Sequence, residues 1–124
     1  MKKISILVFC VLDLFSQVAS IPATPANVEK FDQIIDMRVP IEIRETGIIK
    51  GAKIIEFSKD KRKLWSEISD EVDITKPFAI ICRSGRRSAF VADLIDTPDL
   101  NITIFEGGMR ALSKQGYITT PYEK

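Results

Sequence analysis

The residues best suited to do chemistry in this 124-residue chain lie in one short segment, Cys82-Arg83-Ser84-Gly85-Arg86-Arg87-Ser88. A thiol is followed at once by one arginine, and two more stand at the fourth and fifth positions beyond it. An apolar run, Phe78 to Ile81, precedes the segment and reads as a buried strand; an amphipathic run from about Arg86 to Ile95 follows and reads as a helix. The thiol is thereby set at a helix N-terminus. Unpaired amide N–H groups and guanidinium groups there both favour an anion, whether the thiolate itself or a bound oxyanion. A free cysteine is often no more than a small buried hydrophobe. Packing alone gives no reason for three arginines around it, and clustered perturbing charges mark sites.

What the chain lacks narrows the chemistry. It contains no histidine, which excludes a Cys-His pair of the protease kind and a histidine-rich metal site. No metal and no cofactor is implied. A thiolate made by arginines and a helix terminus suffices for reactions whose leaving groups depart without a proton.

The N-terminus predicts export. Lys2 and Lys3 form a basic start, Ile4 to Leu12 an apolar stretch, and Val18-Ala19-Ser20 a small-residue cleavage site, so residues 1–20 read as a signal peptide cut after Ser20. The stretch is short for a bilayer span, and Asp13 interrupts it. The expected location is the periplasm or the exterior, with no membrane contact once the signal is gone. Cleavage takes two lysines and one aspartate from the 18 basic and 17 acidic residues, so the remainder is formally neutral. No general attraction to nucleic acid follows. Cys10 leaves with the signal, so Cys82 has no disulfide partner, and an unpaired thiol in an oxidising compartment favours a reactive use.

The elements that must position the thiol follow from pattern. Residues 21–27, with Pro22 and Pro25, read as a tether, and residues 28–124 as one domain. Strands are expected at Gln33 to Arg38, Ala52 to Phe57, Phe78 to Ile81 and Asn101 to Phe105. A helical turn is expected from Pro40 through Arg44. Helices are expected over Asp60 to Ser69, with Leu64, Trp65 and Ile68 on one face, over Arg86 to Ile95, and after Gly107-Gly108. Strands alternating with helices give an α/β fold, a mainly parallel central sheet flanked by helices, with ligands at the C-terminal ends of strands. Cys82 lies at such an end.

Several segments in this order match a known family. Ile35-Asp36-Met37-Arg38 with Pro40 and Glu42, Gly47-Ile48-Ile49-Lys50-Gly51-Ala52, the Cys82 loop, and Glu106-Gly107-Gly108-Met109 followed by Gly116-Tyr117 together resemble a single-domain rhodanese of the small exported type, from about Gln33 to Pro121. The resemblance implies a rhodanese-like fold and thiosulfate sulfurtransferase activity. Cys82 would be the nucleophile and persulfide carrier, and the amides from Arg83 through Ser84, Gly85 and Arg86 to Arg87 would cradle the sulfur. Arg83 and Arg86 would hold the anionic end of the donor, while Asp36 and Arg38 would brace the site. The implied partners are a small anionic sulfur donor and a thiophilic acceptor, cyanide or a thiol, with a protein sulfur acceptor as a variant.

Ile48 stands where many relatives have histidine and Leu112 where many have tryptophan, which bears on donor and partner preference. A cysteine-dependent phosphatase or arsenate reductase on the same fold, and a persulfide-carrying or partner-binding module, are the alternatives. Loop size separates the first of these. Related phosphatase loops place an arginine after five intervening residues, but Cys82 to Arg87 encloses four, and Ser88 holds the next place.

Overall fold

A computed structural model describes residues 18–122. Five strands form one sheet in the order β1-β5-β4-β2-β3: β1 (Val18–Pro22), β2 (Ile34–Asp36), β3 (Lys53–Ile54), β4 (Phe78–Ile81) and β5 (Ile102–Glu106). Every pairing is parallel, so each connection must cross back over the sheet, and helices do the crossing. They are α1 (Pro25–Val28), α2 (Pro40–Thr46), α3 (Lys61–Glu71), α4 (Arg86–Ile95) and α5 (Gly108–Lys114). The expected α/β architecture with a flanked parallel sheet is the one observed.

Alternation along the central strand divides the core into two layers. Phe78 and Ile80 of β4 pack with Ile35, Leu64, Ile68, Val91 and Ile95, which places α3 and α4 on one face. Ala79 and Ile81 pack with Ala23, Val28, Phe105, Met109 and Leu112, which places α1 and α5 on the other. Strands buried on both faces read as continuous apolar runs, and Phe-Ala-Ile-Ile is one. Leu64 and Ile68 face the core as the spacing predicts, with Trp65 partly buried beside them.

Two differences from the sequence reading concern the first elements. The leader expected over residues 1–20 lies, up to residue 17, outside the described residues, and its cleavage point after Ser20 falls inside β1. Where a tether is expected at 21–27, the chain completes β1 and turns into α1. Ala23 and Val28 are buried, the Ala23 amide donates to the Glu106 carbonyl at 2.9 Å, and Thr24 caps α1 by accepting from the Asn27 amide at 3.1 Å. The prolines that suggest a tether instead end an edge strand and open a helix, two places where proline's missing N–H costs nothing.

Val18 pairs with Ile102 and packs on the core layer of α3 and α4. A chain beginning at Val18 should therefore be more stable than one beginning at Ile21 by about 1–2 kcal/mol, from lost ladder bonds and apolar burial. Urea midpoints of the two chains measure it, and coincident midpoints would show that this edge contributes nothing.

Candidate active site

Cys82 directly follows β4, the central strand, and is a free, fully buried thiol. Burial by itself would suit an inert cysteine. What distinguishes this one is the loop after it. The Gly85 amide donates to the Cys82 Sγ at 3.1 Å, a bond that a thiolate acceptor would strengthen. Gly85 adopts φ +103°, in the left-handed region that a side chain disfavours, and this lets the chain curl back over its own sulfur.

The carbonyls of the loop are held from outside. Cys82 O accepts from the Met109 amide at 2.8 Å and Arg83 O from the Arg110 amide at 3.0 Å. These carbonyls would otherwise serve the first turn of α4. Among the described residues the amides of Arg83, Ser84, Arg86, Arg87 and Ser88 donate to no protein acceptor, and the first amide of α4 with a helical partner is Ala89, to Gly85 O at 3.0 Å. Ser88 Oγ is likewise buried without a partner. Unspent donors at the start of a helix are of the kind that can bind an anion. Gly108 makes the clamp possible, since a Cβ there would collide with the Cys82 and Arg83 carbonyls.

Asp36 and Arg38, expected to brace the site, form a buried ion pair at 2.8 Å. Asp36 also accepts from the Arg38 backbone amide at 3.0 Å, and Arg38 donates onward to Thr46 Oγ1 at 2.6 Å and Gly47 O at 2.9 Å. Every guanidinium nitrogen is engaged, so Arg38 is a brace between the end of β2 and the end of α2. The Met37 amide donates to Ile81 O at 2.9 Å, which ties this brace to the residue before the thiol.

Arg87 is also committed. Its guanidinium donates to both oxygens of Glu42, at 2.8 and 3.0 Å, and Glu42 accepts in addition from the Val39 amide at 3.1 Å. One carboxylate thus fastens the start of α2 to the start of α4. The Arg87 bond holds the Glu42 carboxyl below its usual range, while the same bond, with the charges of Glu42, Cys82 and Asp36, raises Arg87. Arg83, Ser84 and Arg86 are exposed at the rim. Sequence reasoning gave no role to Glu42 or Ser88: Glu42 is 45 positions from its partner, and no local pattern announces the pair.

A cleft of about 260 Å³ flanks the loop, with Glu42, Glu45 and Thr46 of α2 lining it together with Arg83 and, from α5, Met109 and Arg110. Among the described residues no cluster of carboxylate and thiol groups fits a metal ion. No helix there is long and apolar enough to cross a membrane.

Two outcomes test this wiring. Arg38→Met leaves Asp36 buried without its partner and should cost about 3–5 kcal/mol, read by urea denaturation, while Asp36→Asn with Arg38→Met should cost less than the two single changes combined. Because the folded-state pKa of Glu42 is depressed, its pairing contributes stability above the unfolded value of about 4.3 and loses it as pH falls through the folded value. The acid limb of stability against pH should be shallower in Glu42→Gln; identical limbs would mean that the pair adds nothing.

Comparison with known proteins agrees with this fold. A comparison with curated proteins gives no match. Among solved structures, the chain is similar to a rhodanese-like domain protein from Staphylococcus aureus, at 24% identity and TM-score 0.62 over 82% of this chain and 98% of that one. It is similar to a rhodanese-related protein from Thermoplasma volcanium, at 27% and 0.63 over 78% and 94%. A third is a protein of unknown function from Rhodopseudomonas palustris, described as a possible tyrosine phosphatase, at 26% and 0.59 over 80% and 83%. The family model of the rhodanese-like domain matches residues 23–115, from the end of β1 to just past α5, and the chain belongs to that family.

Proposed function

We propose that this protein is a sulfurtransferase that carries sulfane sulfur as a persulfide on Cys82. The observation that carries the reading is the run of unspent amides that follows a sulfur already accepting one N–H bond. In the first half of the reaction the thiolate attacks the outer sulfur of thiosulfate, the sulfur–sulfur bond breaks, and sulfite leaves with the electron pair. The exposed guanidinium groups of Arg86 and Arg83 hold the sulfonate end, and the loop amides hold the transferred sulfur. A thiolate or cyanide then attacks that sulfur, and Cys82 departs as thiolate. No step needs a general acid, in keeping with a chain that has no histidine.

Phosphate ester hydrolysis is the weaker reading. It asks for a wider loop and an arginine free to clamp phosphate, and Arg87 is occupied by Glu42 through both terminal nitrogens. The basic start and apolar run of the N-terminus support action outside the cytoplasm.

Intact-mass analysis after mixing with thiosulfate should show one added sulfur, absent in Cys82→Ala, with negligible cleavage of a phenyl phosphate ester. Arg86→Ala should weaken use of thiosulfate relative to an uncharged persulfide donor by about 1–2 kcal/mol, the discounted worth of an exposed charge-assisted bond. Phosphate ester cleavage that depends on Cys82, with no sulfur added from any donor, would overturn the assignment.

A further inference from the structure

The cleft beside the thiol loop has a charge pattern of which the donor half of the reaction uses only Arg83. α2 contributes Glu42 and, one turn on, Glu45; the loop and α5 contribute Arg83 and Arg110, brought together by the Arg110 amide bond to Arg83 O at 3.0 Å. Glu42 is spent on Arg87. Among the described residues, the side chains of Glu45, Arg83 and Arg110 make no hydrogen bond or ion pair. One open cleft therefore carries an uncommitted carboxylate on one element and two uncommitted guanidinium groups on another. A purely anionic donor would leave Glu45 without a partner.

Size narrows the occupant further. About 260 Å³ falls just below the roughly 300–1,000 Å³ range of pockets for larger ligands and suits an amino acid or a short peptide. Three lining residues are wired to the thiol loop: Arg83 is its second residue, Met109 holds the Cys82 carbonyl, and Glu42 holds Arg87. A ligand seated here lies against the residue that directly follows Cys82.

We propose that this cleft is the acceptor site for a small amino-acid thiol, cysteine or a short peptide of it, with the ligand ammonium on Glu45 and its carboxylate on Arg110 and Arg83. The inference rests on the sulfurtransferase reading. In the step it serves, the ligand thiolate attacks the sulfane sulfur of the Cys82 persulfide and forms a new sulfur–sulfur bond. The bond to Cys82 Sγ breaks, its electron pair stays on Cys82 as thiolate, and the sulfane sulfur keeps its proton in the product persulfide. Atoms and charge balance with no further oxidant or reductant.

Three acceptors isolate the two charges: cysteine, N-acetylcysteine, which lacks the ammonium, and cysteine methyl ester, which lacks the carboxylate. The full chain is first loaded with sulfur and the loading checked by intact mass; transfer is then timed with each acceptor. Reading each variant as a ratio between acceptors cancels any general loss and the intrinsic reactivity of each thiol. Glu45→Gln should lower the preference for cysteine over N-acetylcysteine, and Arg110→Ala the preference for cysteine over its methyl ester, each by about three- to tenfold. Loading that succeeds with both ratios unmoved by the variants would overturn the acceptor site and leave the sulfurtransferase reading standing. Failure to load from either thiosulfate or polysulfide would remove that reading and this inference with it.

Discussion

The site depends on where two carbonyls point. In an uninterrupted strand-to-helix connection, Cys82 O and Arg83 O would accept from the first amides of α4, and those amides would be spent. Here Met109 and Arg110 of α5 take both carbonyls instead. The first turn of α4 is left with its donors unused and facing a loop that has already curled onto its sulfur at Gly85. Three of these donors belong to exposed residues, Arg83, Ser84 and Arg86, within reach of solvent or a ligand. The packing of α5 on Ile81 and Phe105 keeps the arrangement in place.

Charge is distributed by the same logic of commitment. The arginines near the thiol divide into those consumed by structure and those left at the rim. Arg38 is locked between Asp36, Thr46 and Gly47, and Arg87 is locked by Glu42. Both locks sit at the C-terminal end of the sheet and join the end of β2, helix α2 and the start of α4 into one frame around the loop. Arg83, Arg86 and Arg110 remain exposed and uncommitted, so they are the ones that can meet a ligand. A buried pair such as Asp36–Arg38 adds little net stability over an apolar substitute. Its geometry, however, fixes where α2 stands against the loop.

Much of this was legible in the chain because local patterns carry it. The apolar run Phe78 to Ile81, the arginine-rich segment after it and the double glycine at the start of α5 each announce an element or a turn, and Cys82 stands out by its neighbours. Asp36 and Arg38 were legible as a pair two positions apart, although not the depth of their burial. The Glu42–Arg87 lock was not, because it joins residues far apart in sequence whose types are common on any surface. The capture of loop carbonyls by Met109 and Arg110 was invisible for a different reason: backbone amides carry no signature in side-chain identity. Strand β1 was hidden because Val-Ala-Ser-Ile-Pro has the small, apolar character of a cleavage site and of an edge strand alike.

That double character sets an order of events. A peptide bond paired within a sheet is closed to a peptidase, so any cut after Ser20 must precede folding. The sheet would then close with Ile21 and Pro22 alone beside β5, and the backbone edge of β5 opposite Val18 to Ser20 would be uncovered. The positions lost pair with Ile102 to Ile104, at the start of β5. Those that remain pair with Phe105 and Glu106, at its end, and the Ala23 amide still reaches Glu106 O. Gly107 and Gly108 follow directly and set the two amides that hold the thiol loop open. The end of the sheet that makes the site therefore keeps its support with or without the first three residues of β1, and the consequence of such a cut falls on the stability of the far edge.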